Sequence, residues 1–398
     1  MRTAWLQLPD ALDQARLPMP PATADFLQVA QLGNLVTSLF WGTNDFYVSP
    51  ENQLAGATAR ADVRTHFAVA READRVIGYA ALSLPFEPGA ESGPESNTLQ
   101  PHTAEVRIVV HPDFRRRGVG SALLREAEAE AARRGRTVLQ SWTDNALLDP
   151  AAVGSGPVFV TGTSLQTGLT PVVRPGNQAP DHDAGPGAVR WQAPDARFAA
   201  AGGYELAQVE VASVLDLREA AGAALRAESG SSAGQDHGYD VVGWEGACPP
   251  EDAAALAQLL GRMAAEAPAG EVERATEAWD VARLRAEERA REEMGLTIIT
   301  TAVRDRATGR LVGHSDIETF ADLPQVAYQG NTLVHPEHRR RGLALLLKAA
   351  NVSRLLRLRP EADRLYTWNA AENRAILRAN AELGFVPVAT HPAWQKRL

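Results

Sequence analysis

Residues 109–124 read VVHPDFRRRGVGSALL and residues 333–348 read LVHPEHRRRGLALLLK, near-copies in opposite halves of a 398-residue chain. In each, an apolar run suited to a strand reaches His-Pro, passes three arginines and a glycine, and gives way to apolar residues at helical spacing. A strand that turns through glycine into a helix makes an anion site. Gly118 and Gly120 carry no side chain to block the bend, so successive backbone N–H groups can turn inward at the positive end of the helix dipole. Arg115, Arg116 and Arg117 add fixed charge with the fork geometry that suits phosphate. Arg339, Arg340, Arg341, Gly342, Leu343 and Ala344 repeat the arrangement. The expected ligand is a pyrophosphate. A nucleotide P-loop would need Lys-Ser/Thr after its glycine, and a dinucleotide fingerprint would need a third glycine where Leu123 stands.

The flanking sequence repeats too. Upstream of the first copy, residues 23–42 read as a helix, 66–85 as a hairpin and 104–110 as a strand; downstream come a helix to about Gly135 and a strand over 136–142. In the second half, 239–246 reads as a strand, 250–268 and 279–295 as helices, 296–320 as a hairpin with a Thr-Gly turn and 326–334 as a strand. After the second copy come a helix to about Leu358, a strand (RLYTWN), a helix over 371–383 and GFVPVA. This predicts two domains, 1–217 and 239–398, joined by a linker over 218–238, with a Gly/Pro-rich loop over about 145–195 in the first. A net charge of −9 argues against nucleic acid as a partner, and Cys248, the lone cysteine, excludes an internal disulfide. No apolar run is long enough for a membrane span and the N-terminus lacks a secretory signal's apolar core, so a cytoplasmic protein without membrane contact is expected.

Arg-x-x-Gly-x-Gly/Ala after a strand, in the copies Arg115–Gly120 and Arg339–Ala344, resembles the acetyl-CoA-binding motif of GNAT N-acetyltransferases. Asn373, Asn380 and Gly384-Phe385 match the family's late helix, with FAAAGGYELAQVEV (198–211) as a weaker counterpart in the first half. The whole resembles two-domain GNAT proteins of actinobacterial, high-GC type. The resemblance implies an α/β (α+β) class with two GNAT folds, each a central mixed, mostly antiparallel sheet flanked by helices. It also implies transfer of an acetyl group from acetyl-CoA to a primary amine by direct attack on the thioester. On that pattern the loop residues, with Ser121 and Leu345, hold the diphosphate; the backbones of Ile108, Val109 and Val110, and of Thr332, Leu333 and Val334, meet the pantetheine arm; Asn373 contacts the cofactor or caps its helix.

The general base is less determined. Glu105 stands where many relatives carry a strand glutamate; its counterpart Gln329 takes no proton, and the second hairpin offers Asp316 and Glu318 on one strand face instead. The family's late-helix tyrosine acid is missing in both halves: Asn380 and approximately Ala199 hold its place. The bland readings are a solvated strand end for Glu105, a polar outer face for Asp316 and Glu318, structural roles for His111 and His335, and core positions for Trp368 and Trp394. His335 and His338 lack the ligand number of a metal site, so no metal is expected. The fuller late helix favours the second half as cofactor binder. The acceptor, a small-molecule or peptide amine, is not specified, and a monomer or homodimer fits the duplication. A catalytically idle acyl-CoA-binding sensor or scaffold is the alternative that the missing tyrosines raise.

Overall fold

The computed structural model describes residues 1–12, 19–60, 63–86, 102–147, 189–219, 238–266, 270–273 and 279–398. Most of the Gly/Pro-rich stretch and nearly all of the 218–238 linker lie outside the described residues.

The first half runs β1 (Arg2–Trp5), α1 (Pro21–Trp41), α2 (Pro50–Thr58), β2 (Val63–Glu72), β3 (Arg75–Pro85), β4 (Thr103–Val110), α3 (Val119–Arg133), β5 (Val138–Trp142), β6 (Asn145–Ala146), α4 (Pro194–Ala201) and β7 (Glu205–Asp216). The second runs β8 (Tyr239–Glu245), α5 (Ala253–Glu266), α6 (Val281–Glu293), β9 (Leu296–Asp305), β10 (Leu311–Phe320), β11 (Val326–Val334), α7 (Leu343–Leu358), β12 (Arg364–Ala370), α8 (Arg374–Leu383) and β13 (Val386–Arg397). Local chemistry sets several of the boundaries. Pro21 opens α1 at a position where a missing N–H costs nothing, and left-handed Gly42 closes it. Ser49 and Asp280 cap α2 and α6 by accepting from the backbone N–H of Asn52 and Arg283 at 3.2 and 2.8 Å.

The thirteen strands among the described residues form one sheet in the order β1-β2-β3-β4-β5-β13-β7-β12-β11-β10-β9-β8, with β6 pairing to β13. Pairing is antiparallel except at β4/β5 and β11/β12. These two parallel junctions are short. β4 and β5 pair only from Thr103–Val138 to Glu105–Gln140, and β11 and β12 only from Val326–Arg364 to Tyr328–Tyr366; beyond those residues each pair of strands splays apart. In both halves the splay leads directly into an arginine-glycine loop.

The halves are joined by exchanged strands. β13, the end of the second half, lies against β5 of the first, while β7, the end of the first half, lies against β12 of the second; the two exchanged strands pair with each other along their length. The core follows that exchange. Trp394 on β13 is fully buried among Leu123, Leu139 and Tyr204 of the first half, beneath α3. Leu215 and Leu217 at the end of the first half are buried with Leu355, Leu365 and Phe385 beneath α7. On the opposite face, Phe26, Val29 and Leu32 of α1 pack on Phe67, Tyr79 and Val109, and α5 packs on Ala302, Leu311 and Leu333.

The α1–α2 connection also crosses over. Asp45, 2% exposed, forms a two-point ion pair with Arg364 (2.5 and 2.7 Å) and accepts from the Tyr366 hydroxyl at 2.7 Å, while its backbone carbonyl accepts from the Tyr328 hydroxyl. Phe46 sits among Trp41, Tyr328, Tyr366 and Trp368 with ring centres 4.4–6.0 Å away.

Candidate active site

The two arginine-glycine loops have one conformation. After β4 or β11 the chain makes a short 3-10 turn, Pro112–Phe114 or Pro336–His338. Arg116 and Arg340 then adopt left-handed backbone (φ 61° and 62°), as do Gly118 and Gly342 (φ 80° and 75°), which start α3 and α7. Among the described residues only one other non-glycine, Ala73 between β2 and β3, has positive φ, so the two arginines carry matched strain at equivalent positions of the loops. No side chain caps either helix. Each loop therefore aims backbone N–H groups, at the positive end of a helix, towards whatever lies before it.

The arginines of each triplet divide their work. Arg115 Nε donates to Val110 O at 3.2 Å and Arg339 Nε to Val334 O at 2.9 Å, closing the strand ends. Arg117 lies over the Phe114 ring at 5.2 Å, and Arg341 donates to the Tyr239 hydroxyl at 2.8 Å. The middle arginines, Arg116 and Arg340, are exposed at the bends. Ile108, Val109 and Val110 lie beyond the last β4/β5 pair, so their β5-facing edge is open; Thr332, Leu333 and Val334 stand likewise on β11. Val119 and Leu343 are buried helix anchors, and Ser121 and Leu345 lie in the first turns of α3 and α7. A Cβ on Gly120 would meet the Phe198 ring at 3.3 Å, so α4 packs against this turn; Ala344 fills the matching position.

Glu105 occupies the last β4/β5 pair, at the point where the strands part. Its side chain is open to solvent but walled by protein elsewhere; partial desolvation raises its carboxyl above the ordinary value, against the pull of His391, Arg107 and Arg60. Arg107, two residues on, donates to Thr37 Oγ1 of α1 at 3.0 Å. His391 arrives on the exchanged strand β13. It stacks on Trp142 (5.1 Å between centres, 11° between planes), and its Nδ1 lies 2.9 Å from Asp144 Oδ1. Sequence reasoning passed over His391 because its place in the chain assigns it to the wrong half.

The acids of the second half are enclosed. Asp316, 7% exposed, lies opposite a bulge in β11, and its Oδ1 accepts from Asn331 N at 2.7 Å. A side chain at Gly330 would collide with that carboxylate. Burial raises the Asp316 carboxyl, partly offset by Arg291. Glu318, half-buried and raised for the same reasons, lines a cavity of about 280 Å³ with Arg291, Trp279 and Asn331. Asp316 and Glu318 share a face, as alternation requires, but α5 and α6 cover that face. Gln329 donates to Ser315 Oγ (3.0 Å) and Asp316 O (2.6 Å). His314, 1% exposed with neither ring nitrogen hydrogen-bonded, is depressed to about 4 by burial. Lys348, 1% exposed, is lowered to about 7 by burial, opposed by Asp316. Asn373 caps α8 by accepting from Ile376 N at 3.4 Å, and Asn380 donates to Asn369 Oδ1 at 2.6 Å. His335, Glu337 and His338 form the one cluster among the described residues whose spacing could hold a metal, and Glu337 is exposed.

A parallel strand pair that splays into an arginine-glycine loop and an uncapped helix is built twice, and each copy presents backbone N–H groups suited to an anion. Residues 35–152 match the model of the acetyltransferase (GNAT) family. Over its whole length the chain is similar to the tandem GNAT protein from the clavulanic acid biosynthesis pathway, solved without acetyl-CoA: 25% identity, 100% of this chain and 98% of that one, TM-score 0.67. It shares the fold of a GCN5-related N-acetyltransferase from Sphaerobacter thermophilus at 15% identity, covering 98% and 97% of the two chains, TM-score 0.55. No curated protein matches the sequence. Residues 35–152 thus carry the family match, and the chain as a whole has the fold of a tandem GNAT protein. No helix among the described residues is long and apolar enough to cross a membrane.

Proposed function

We propose that the protein transfers an acetyl group from acetyl-CoA to a primary amine, and that the first unit, residues 1–217 completed by β13, carries out the transfer. The observation that carries this reading is Glu105: a solvent-open carboxylate where β4 and β5 part, on the strand that feeds the loop of Arg116 and Gly118. The amides of residues 116–121 suit the diphosphate of the coenzyme, and the open edge of Ile108–Val110 suits its pantetheine arm. A backbone N–H on that edge polarises the thioester carbonyl. Glu105 attracts the acceptor's ammonium group and holds it over the carbonyl carbon. Once deprotonated, the amine nitrogen bonds to that carbon, the carbon–sulfur bond breaks, and the thiolate leaves with the electron pair, while the nitrogen's second proton passes to the thiolate through water.

The second unit, residues 239–398, serves as a buttress in this reading, although its late helix is the fuller one. Asp316 is bound to Asn331 N, Asn373 is engaged as a cap, and Phe46 packs on its aromatic face. Acetyl-CoA calorimetry on the full chain, followed by free-CoA release with a panel of primary amines, tests the proposal. Binding with turnover supports it. Tight binding without turnover of any amine favours an acyl-CoA sensor, the reading motivated by Ala199 and Asn380 in the tyrosine's place. No binding overturns both.

A further inference from the structure

We propose that the proton lost by the acceptor amine in the first unit is taken by His391, which the second half's terminal strand delivers, with Asp144 as its orienting partner. This rests on the first unit being the transferase. The registers place the groups together. Glu105 pairs with Gln140, Trp142 pairs with Ala393, and side chains alternate along each strand, so Glu105, Gln140, Trp142 and His391 share one sheet face. That is the face of Arg107 and Val109, where α1 packs.

The dyad has the form a general base needs. A carboxylate oxygen can only accept, so the 2.9 Å contact to Asp144 fixes the proton on Nδ1 and leaves the Nε2 lone pair outward. Nε2 takes no part in that contact, and the side chain is 25% exposed. Stacking on Trp142 holds the ring plane at 11° to the indole. The charged groups around it are Asp144 from the β5–β6 connection, Glu105 from β4, whose carboxyl also feels Arg107 and Arg60, and Glu210 directly across on β7. His314 makes the contrast: it is buried and hydrogen-bonded at neither nitrogen.

The second unit lacks the device. Counting up from the matching parallel pairs Thr103–Val138 and Ala327–Leu365, the positions equivalent to Asp144 and His391 are Ala371 and Val209, which meet through a backbone bond of 2.9 Å. Exchange of the last strands therefore gives one unit a base and the other a valine. In the step, the ammonium held by Glu105 gives a proton to His391 Nε2, the nitrogen attacks the thioester carbon, the carbon–sulfur bond breaks and the thiolate departs with the electron pair; the nitrogen's second proton passes through water to that thiolate, and the imidazolium releases its own to solvent.

The test uses the full chain with acetyl-CoA and three probe amines: benzylamine, spermidine and glycinamide. His391→Gln should lower kcat at pH 7 by about 100-fold or more, within the general-base range. The deficit should shrink towards about tenfold by pH 9.5, as free amine replaces the missing base, with acetyl-CoA affinity kept within about threefold. Glu105→Gln should instead act mainly on the KM of the amine, and Asp144→Asn should lie between. A His391→Gln enzyme within about threefold of wild type at pH 7, or one whose deficit is equal at every pH as for a purely structural residue, overturns the proposal. Wild-type binding of acetyl-CoA without turnover of any probe amine also overturns it, leaving no proton to transfer. Absence of acetyl-CoA binding defeats the transferase reading itself.

Discussion

Replacing Trp394 with alanine perturbs the exchange that joins the two halves. Trp394 comes from the last strand of the second half, yet it is fully buried in the first-half core, edge-on to Trp191 at 5.6 Å, with its indole N–H donating to Thr143 Oγ1 at 3.0 Å. Truncating a buried tryptophan to alanine removes the transfer energy of the ring and leaves a cavity, about 3–5 kcal/mol together. The lost hydrogen bond adds about 1 kcal/mol if the Thr143 hydroxyl finds no other partner. A single domain has about 5–15 kcal/mol in all, so the change is a large fraction of the stability of either half. Urea unfolding followed by circular dichroism reads the effect as a lower midpoint at unchanged slope. Because β13 and β7 pair along their length, both halves should lose structure in one shared transition. A loss below about 1 kcal/mol, or one confined to a separate transition of the second half, would refute the reasoning.

Three further outcomes follow from buried charge. His314 has a folded pKa of about 4 against an ordinary 6.5, so its contribution is fully present above pH 6.5 and is lost as pH falls towards 4, on the order of 3 kcal/mol at full extent. His314→Leu should flatten the stability–pH profile across that window relative to wild type; Asp316, raised by burial, acts in the opposite sense above 3.8 and stays in both proteins. Lys348→Met should stabilise the chain at pH 7 by about 1–3 kcal/mol, because a buried ammonium is replaced by an apolar chain of similar size where the first half carries Leu124; a lower melting temperature would contradict this. Asp45→Ala should cost about 2–4 kcal/mol, since it strips a buried partner from Arg364 and Tyr366, and a double-mutant cycle with Arg364→Ala measures their coupling.

Much of this fold could be read in the chain. The hairpins, the loop strands and the helices after them announce themselves through period and through the doubled HP-x-x-RRRG, because those features are local. α2 was hidden by its shortness, and β1 by having only four residues. The exchange of β7 and β13 was hidden for a deeper reason. Pro387 and Pro392 make residues 386–397 read as a strand stopping at VPVA, whereas β13 continues through both prolines with register shifts at Pro387/Ala389 and Ala393/Trp394. No residue pattern states which β5-like edge a terminal strand will choose. That choice puts His391 beside Glu105, so a candidate list built half by half could hold Glu105 and not its neighbour. Likewise the arginine triplets announce positive charge but not its division, with Arg115 and Arg339 spent on strand carbonyls.

The most direct measurement is the stoichiometry of acetyl-CoA binding to the full chain by calorimetry, in wild type and in two matched variants, Gly118→Glu and Gly342→Glu. A Cβ at either glycine meets no atom within 4 Å, and both have left-handed backbone, so each variant carries the same strain, about 1–2 kcal/mol. Each also sets a carboxylate before its helix, where at about 5 Å and an effective dielectric of about 20 it repels one diphosphate charge by about 3 kcal/mol, enough for a loss of tenfold or more. The prediction is one coenzyme per chain, its affinity lowered about tenfold or more by Gly118→Glu and left intact by Gly342→Glu. Two equal sites, or loss with Gly342→Glu alone, would contradict the assignment of the transferase to the first half.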